Sequence, residues 1–389
     1  MKSSRTQGSI RAELRRKFRR HLRDLGFVLS DNGELVPPQA SKEFIRHLHS
    51  AQRASHLADE GTFVSREWPR LNHLFADGID VDPKAVTPQL ELVRSDTWQA
   101  RLFRLASLTW SVPVSRGYGR RLRFLVWDAS NGKLVGLIAL GDPVFNLSAR
   151  DRFIGWTVAQ RTDRLVDLMD AYVLGALPPY NQLLCGKLVA SLVRSKEIRD
   201  IFAERYSTSV GIISQKRKAA HLVMVTTTSA LGRSSVYNRL KLGRGIQYVP
   251  VGFTQGWGHF HMPDRLFALV RQVLQENNHS YAQGFRFGDG PNWRLRAVRQ
   301  ALKLVGLNPS LLRHGIQREV FVCEIASNAS KVLRGQATIP RYSDLDSIKA
   351  IGALARDRWI VPRAERRPTF RDFRRDSLLF QLRPEVKGT

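Results

Sequence analysis

Apolar and basic positions alternate with a helical period near the start of the chain. Within residues 10–25 the apolar positions recur every four residues, so they fall on one helix face, and arginine or lysine fills most of the rest. These apolar positions are Ile10, Leu14, Phe18 and Leu22. Residues 41–58 repeat the pattern, with Ser41 placed to cap the helix. We therefore predict a mostly helical, basic section over residues 1–112.

The period then changes to one typical of strands. Residues 122–127 and 134–140 are short apolar runs, and the Asn131-Gly132 pair between them suits a turn that needs positive φ. This pattern predicts a β-hairpin. Further apolar runs alternate with helical segments, and they lie at residues 172–177, 222–228 and 247–253. Strands interspersed with helices predict an α+β core over residues 113–262.

Helical periodicity returns after residue 262. Residues 264–276 and 293–305 each have an apolar face, Gly306 ends the second, and another helix is expected to begin near Ser310. This outline predicts a helical section over residues 263–350 that resembles a helix-turn-helix. Residues 351–389 are rich in arginine and contain several prolines, so we expect an extended C-terminal arm there.

Charge narrows the class of partner. The chain has 389 residues, with 62 Lys and Arg against 34 Asp and Glu, which leaves a formal charge of +28. Such an excess predicts a polyanionic partner, and nucleic acid is the commonest one. No run approaches the ~18 apolar residues of a membrane span, and residues 1–23 lack the apolar core of a signal peptide. Two cysteines cannot build a disulfide framework or a four-cysteine zinc site. We expect a cytoplasmic protein without membrane contact or bound metal.

Candidate nucleic-acid contacts are the basic side chains on the predicted helices and the arm. Arginine suits this role because its forked donors match phosphate oxygens. The candidates are Arg15, Arg16, Arg19, Arg20, Arg294, Arg296, Arg299, Arg313, His314, Arg318, Arg366, Arg367, Arg371 and Arg374. In the arm, Trp359, Phe370 and Phe373 are interleaved with arginines, which favours a segment that follows a phosphate backbone. The alternative is a set of solvated helix faces.

The middle of the chain resembles the GCN5-related N-acetyltransferase (GNAT) fold. The resemblance rests on a strand at residues 174–179, a turn at 182–187, a helix at 188–206, a strand at 222–228 and a short helix containing Tyr237. In that fold the turn opens a helix whose amides hold the pyrophosphate of coenzyme A. The resemblance implies that Gly186 would bind acyl-CoA. Cys185 stands where the family has its first glycine, and a side chain there is expected to crowd the pyrophosphate, so we assign no cofactor.

A second resemblance covers most of the chain. Several blocks, in the right order, are similar to the DruA family of Druantia anti-phage defence systems, a family also found beside transposases. The blocks are residues 134–143, 150–156, 177–180, 226–239 and 312–320. The resemblance implies a bacterial defence component that works with a helicase-type partner, since the chain contains no Walker loop.

Two residues are candidates for catalysis. Tyr237 would be a general acid if the GNAT resemblance extends to chemistry, or a nucleophile for DNA strand transfer; its alternative is a tyrosine that packs the segment onto the sheet. Asp151 follows Arg150 and would be a site carboxylate held by that arginine, or one half of a structural ion pair. His259 and His261, beside Trp257, are too few for a metal site and suit contact with an exposed base.

Three functions remain open from the sequence. The first is binding of nucleic acid, expected to be phage DNA, through a basic surface. The second is acyl-CoA-dependent N-acyl transfer to a nucleic-acid-associated substrate. The third is DNA cleavage or strand transfer.

Overall fold

The computed structural model describes residues 2–31, 35–36, 41–114, 119–208, 219–258, 262–282 and 291–382. The chain forms two compact units. We call Met1–Ala54 with Thr254–Arg318 the helical unit, and Ser55–Phe253 with Glu319–Thr389 the sheet unit. These units do not follow the sections expected at residues 1–112, 113–262, 263–350 and 351–389, because the chain leaves the helical unit after residue 54 and returns at residue 254.

Helices are distributed along the whole described chain. They are α1 (Lys2–Asp24), α2 (Lys42–Asp59), α3 (Gly61–Leu71), α4 (Trp98–Leu108), α5 (Ser148–Ile154), α6 (Val158–Arg164), α7 (Cys185–Leu192), α8 (Lys196–Tyr206), α9 (Asp264–Glu276), α10 (Pro291–Leu304), α11 (Ala329–Leu333), α12 (Ile348–Ala355), α13 (Val361–Arg366) and α14 (Ser377–Gln381). None of the described helices is long and apolar enough to cross a membrane.

Strands are concentrated between residues 88 and 324. They are β1 (Val28–Leu29), β2 (Leu35–Val36), β3 (Pro88–Leu92), β4 (Arg121–Asp128), β5 (Lys133–Gly141), β6 (Leu168–Ala176), β7 (Met224–Thr228), β8 (Lys241–Leu242), β9 (Ile246–Gln247), β10 (Val249–Phe253) and β11 (Glu319–Glu324).

The helical unit packs α1 against α9, and α9 against α10. The side chains of α1 that are buried are Leu14, Phe18 and Leu22, which confirms the apolar face predicted from the four-residue repeat. Arginine and lysine occupy the opposite face of this helix. The unit therefore presents a basic helix surface to solvent.

The sheet unit contains a 7-stranded sheet in the order β10-β11-β7-β6-β5-β4-β3. Only β6 and β7 are parallel, and they pair over residues 168–170 and 224–226, after which β6 continues to Ala176. Every other neighbouring pair in this sheet is antiparallel. The α+β class expected from the sequence, with a mixed sheet and many helices, is confirmed.

The hairpin formed by β4 and β5 confirms the most local of the strand predictions. Gly132 adopts a φ of 67°, and the Asn131 side chain accepts a hydrogen bond from the Lys133 amide at 3.0 Å. Asp128 accepts from the Ser130 amide, which closes the other side of the turn. The turn residues therefore act as their chemistry predicts.

Apolar side chains cover both faces of the sheet. Along β4, Leu122, Phe124 and Val126 belong to the same buried cluster as α7 and α12, whereas Leu125 packs in the cluster that contains α3 and α4. Alternate residues of a strand point to opposite faces, so one strand supplies both layers. Helices packed on both faces thus hold the sheet in place, and the loops that leave its strand ends are held with it.

The expected extended C-terminal arm is wrong for the described residues 351–382. This segment forms α12, a π-helix over Arg356–Ile360, α13, a 3-10 helix over Pro368–Asp372 and α14. Buried apolar residues recur at helical spacing, and they are Ile351, Ala355, Trp359, Ile360 and Ala364. Pro362 is the second residue of α13, which follows the π-helix directly, so the change of helical pitch coincides with the residue that has no amide to donate.

The predicted helix-turn-helix outline is also incomplete. α10 forms, but after Gly306 the chain makes only a 3-10 turn over Pro309–Leu312 and then extends toward β11. The Asn308 side chain accepts a hydrogen bond from the Ser310 amide, which starts this short turn, and Gly315 has a φ of 67°. The helix expected to begin near Ser310, which would have been the recognition helix, is therefore replaced by a turn.

Two helices expected nearer the middle also differ. The long helix predicted toward residue 206 is broken into α7 and α8, because the Ser195 side chain accepts from the Ile198 amide and starts a new helix. The segment containing Tyr237 is a turn rather than a short helix.

Candidate nucleic-acid interface

An exposed stripe of arginines runs along α1. Its members, here called the α1 stripe, are Arg16, Arg19, Arg20 and Arg23. They are spaced by three, four and seven residues, so at about 100° per residue they share one helix face. That face lies opposite Leu14, Phe18 and Leu22, because the apolar repeat is turned away from solvent.

The α1 stripe makes no ion pair in the described part of the chain, although the charge of Arg16 helps to lower the pKa of Glu13. Among the described residues, no carboxylate lies within ion-pair distance of the side chains of its four arginines. The carboxylate of Glu13 pairs instead with Lys17 at 2.6 Å, and that contact lowers the pKa of Glu13. Four cations thus face solvent together, which is unfavourable by itself and becomes favourable beside phosphates.

Arg15, expected to contact nucleic acid, has a structural role. Its Nε and Nη2 donate to the Val305 carbonyl at 2.9 and 2.6 Å, just past the end of α10. The last carbonyls of a helix lack partners within the helix, so this guanidinium stabilises the C-terminus of α10. Arg15 therefore connects α1 to α10.

The candidate arginines on α10 also fall into two groups, one with a structural role and one exposed to solvent. Arg294 donates to the Asp264 carboxylate at 2.7 Å and lies 4.3 Å from the Phe267 ring centroid, so it holds α10 to α9. Arg296 and Arg299 are exposed. Lys303 is exposed four residues after Arg299, on the same face of the helix.

His314 is buried and Arg318 is half-buried, so neither is a fully exposed cation. Arg318 lies 3.1 Å from Nε2 of His49, and the Nδ1 atom of His314 accepts from the Ile316 amide at 3.1 Å. Burial, with Arg318 nearby, lowers the pKa of His49 to about 4 and that of His314 to about 3, so both are neutral at physiological pH. Arg313 is exposed.

The arginines expected in the arm are exposed on the surface of the sheet unit. These are Arg366, Arg367, Arg371 and Arg374. The guanidinium of Arg371 lies 5.1 Å from the Phe370 ring centroid, while the Phe370 ring itself is fully buried. The aromatic residue is therefore an anchor for the segment and not a stacking surface.

The N-terminus of α7, where the sequence suggested a cofactor turn, is surrounded by cations. Lys187 lies 5.2 Å from the Trp359 ring centroid. Burial lowers its pKa, and so do the charges of Arg358 and Arg239. Beside it, a Cβ added at Gly186 would meet nothing nearer than Val236 at 3.9 Å, so the backbone there is accessible.

Cys185 does not obstruct this turn. Its side chain is fully buried, and burial raises the pKa of its thiol well above the ordinary value. The expectation that Cys185 would crowd a pyrophosphate is wrong, because its side chain lies on the core side of the helix. The residues present at the exposed side suit an anionic group such as a pyrophosphate.

Tyr237 is packed into the core. Its ring lies 5.1 Å from that of Tyr248 and 5.2 Å from that of Phe321, and its hydroxyl donates to the Leu174 carbonyl at 3.4 Å. Burial raises the pKa of its phenol to about 12, which opposes formation of a nucleophilic phenolate at neutral pH. The surroundings match the packing interpretation.

Asp151 is held by two arginines. Its Oδ1 accepts from Arg150 at 2.7 Å and its Oδ2 accepts from Arg161 at 2.9 Å. Arg150 is fully buried and also donates to the carbonyls of Val144 and Phe145. The carboxylate therefore completes a network that fixes the loop after β5.

Asp170 is a titratable group that the sequence analysis missed. It lies where β6 and β7 stop pairing, and its Oδ1 accepts from the Thr226 hydroxyl at 2.8 Å. Burial raises the pKa of this carboxyl to about 6. The sequence signal was a single acid within the apolar run Leu168-Met169-Asp170-Ala171, which is unusual for a buried strand.

His259 and His261 lie outside the described residues. Within the described ranges, no group of three or more His, Cys, Asp or Glu side chains is arranged to hold a metal ion.

Comparisons with known proteins agree with one another. A family model described as "DruA: Druantia protein DruA" matches residues 39–335. A curated protein of Escherichia coli (strain UMEA 4076-1), named "Druantia protein DruA", is 53% identical over 388 residues, which cover 97% of this chain and 96% of that protein. No solved structure matches the chain.

Proposed function

The chain belongs to the DruA family of Druantia proteins, and we propose that it is the nucleic-acid-binding component of this anti-phage defence system. In this proposal it grips phage DNA mainly through phosphate contacts. The α1 stripe carries the proposal, because four exposed arginines share one helix face and no described carboxylate pairs with them. Arg299 and Lys303 add two exposed cations in the same unit.

Salt dependence tests this function. Each phosphate contact releases counterions, so six contacts would lower the affinity for duplex DNA about 10³-fold between ~50 and ~200 mM salt. The measurement is fluorescence anisotropy of a labelled duplex with the full chain. An affinity that barely changes over this range would contradict a phosphate-based interface.

The proposal assigns the ATP-driven step to a helicase-type partner, as the family resemblance implies. Adding this chain to the purified partner should raise the partner's DNA-stimulated ATP hydrolysis. No change in that rate, at concentrations where both proteins bind DNA, would contradict the assignment.

A second candidate function is acyl-CoA-dependent N-acyl transfer, and the turn before α7 favours it. The parallel strands β6 and β7 pair over only three residues each. Helix α7 begins after β6 with an accessible Gly186 and the cation Lys187, where the pyrophosphate of acyl-CoA would bind. Protection of the full chain against thermal unfolding by millimolar CoA would support this function, and no protection would remove it.

A further inference from the structure

Exposed apolar side chains are concentrated after β5 in the sheet unit. Four of the thirteen large apolar side chains exposed in the described part of the chain lie within residues 144–158. They are Val144, Phe145, Phe153 and Val158. Phe145 and Phe153 are 45% and 39% exposed, although phenylalanine is normally among the most buried residue types.

A buried charge network fixes the main chain that carries Val144 and Phe145. Arg150, fully buried, donates to the Val144 carbonyl at 2.9 Å and the Phe145 carbonyl at 3.0 Å. Asp151 also accepts from the Leu147 amide at 3.3 Å. Burying a guanidinium is costly unless its donors are paired, and here Nε, Nη1 and Nη2 of Arg150 all have acceptors. Removing any of these partners would leave a buried charge unpaired, so the network holds the loop in one conformation. A rigid loop that presents apolar side chains to water is typical of a binding surface.

The other end of the same loop is also fixed. Asp142 accepts from the Arg120 side chain at 2.7 Å and from the Arg120 amide at 3.0 Å. The main chain of Val144 and Phe145 lies between Asp142 and Arg150 and is therefore fixed by other residues. The exposed side chains of Val144 and Phe145 remain available to a ligand.

Cations accompany the aromatic rings. The guanidinium of Arg161 lies 4.5 Å from the centroid of the Phe145 ring, which fixes that ring by a cation–π contact. Arg152 precedes Phe153 in the sequence of α5 and is exposed, and its Nε donates to the Ser148 carbonyl. Asp151, its neighbour in the sequence, is already held by Arg150 and Arg161. Exposed aromatic rings together with an arginine that has no acidic partner in the described residues, here Arg152, are the combination that binds unpaired bases and their phosphates.

We infer that Phe145 and Phe153 form a stacking platform for the bases of single-stranded nucleic acid, with Arg152 contacting the backbone. This inference rests on the proposed function and adds to it the form of nucleic acid that the sheet unit recognises. A single strand is favoured over a duplex because stacked, paired bases cannot offer their faces to a protein ring.

Substitution of the two rings tests the inference. Base stacking is worth enough to predict that Phe145→Ala and Phe153→Ala each weaken binding of a ~16-nucleotide oligo-dT by about 5- to 140-fold. Binding of a duplex of the same length should change less than about twofold. Phe380→Ala removes another exposed phenylalanine of the sheet unit and should leave both affinities unchanged. Anisotropy titrations of the full-length proteins measure all of these affinities.

Conservative variants separate stacking from simple apolar contact. Phe153→Tyr keeps an aromatic face and should retain oligo-dT affinity, whereas Phe153→Leu keeps apolar area and should lose it. Retained affinity in Phe153→Leu, or equal losses for duplex and single strand, would overturn the inference. Circular dichroism melts confirm that each variant is folded.

The outcomes also separate the inference from the proposed function. If the wild-type chain binds oligo-dT and both alanine variants bind it equally well, the platform is refuted and the proposed function stands. If those variants instead lose only their association with another Druantia protein, the patch is a protein-docking surface and the inference is wrong. If the wild-type chain binds no nucleic acid, the proposed function itself fails.

Discussion

Removing the α1 stripe should reduce the salt dependence of DNA binding by a calculable amount. The perturbation replaces Arg16, Arg19, Arg20 and Arg23 with glutamine. These residues span seven helical steps, or about 10.5 Å along the helix axis. One DNA strand advances ~3.4 Å per phosphate, so this length faces about three phosphates, and the reach of the side chains extends it to about four.

The expected magnitude follows from counterion release. Each phosphate contact contributes about −0.9 to the slope of log affinity against log salt concentration, so four contacts contribute about −3.6. Over a fourfold rise in salt, from ~50 to ~200 mM, these contacts alone lower the wild-type affinity by about 150-fold. Over the same range of salt concentration, the DNA affinity of the quadruple variant should therefore fall about 150-fold less than that of the wild type.

The assay is anisotropy of a labelled duplex at four salt concentrations with the full chain. The matched control is Glu13→Gln with Lys17→Gln on the same helix, which removes an ion pair without changing the net charge. Its slope should equal that of the wild type within about 0.5. Equal slopes for the quadruple variant and the wild type would refute the interface on α1, as would an equal drop in the control.

Three further substitutions test the buried charges. Arg150→Lys cannot reproduce the forked contacts with Asp151, so urea titration should show a free energy of unfolding lower by about 3 kcal/mol. Burial raises the pKa of Asp170 to about 6, so its stabilising contribution is complete below about pH 4 and is lost as pH rises through 6. Asp170→Asn, which still accepts from Thr226, should therefore be more stable than the wild type by about 2 kcal/mol at about pH 8 and equal to it near pH 4 in the same titration. Burial lowers the pKa of His314 to about 3, so acid favours the unfolded chain once pH falls below ~6.5. Between about pH 7 and 5 the wild type should therefore lose about 2 kcal/mol more of its free energy of unfolding than His314→Asn does, as urea unfolding at each pH would measure.

Elements governed by local chemistry could be predicted from the sequence. The β4–β5 hairpin follows from two apolar runs around Asn131-Gly132, and both the strands and the turn need only neighbouring residues. The apolar face of α1 follows from a four-residue repeat, which burial against α9 preserves. Patterns of this kind survive because tertiary packing reinforces the local preference.

Elements that depend on distant contacts could not be predicted. The C-terminal segment has a buried helical face at Trp359 and Phe370, but its arginines and prolines conceal that face in the sequence. Cys185 was expected to face a cofactor, and only its place on the core side of α7 shows otherwise. Asp170 lies in an apolar run, and its perturbed pKa arises from burial and not from its sequence neighbours.

The role of an individual arginine depends on whether its guanidinium donates to main-chain carbonyl oxygens or is available to phosphate oxygens. Arg15, Arg150 and Arg194 each donate to main-chain carbonyls, so their forked donors complete the fold and are not available to phosphate. The surplus of 28 positive charges therefore overstates the interface. The six phosphate contacts of the proposed interface are the α1 stripe with Arg299 and Lys303, which are a subset of the exposed cations of the helical unit. The slope for duplex binding should accordingly be near −5, as about six contacts require, and a slope several times steeper would mean that arginines assigned here to the fold contact DNA instead.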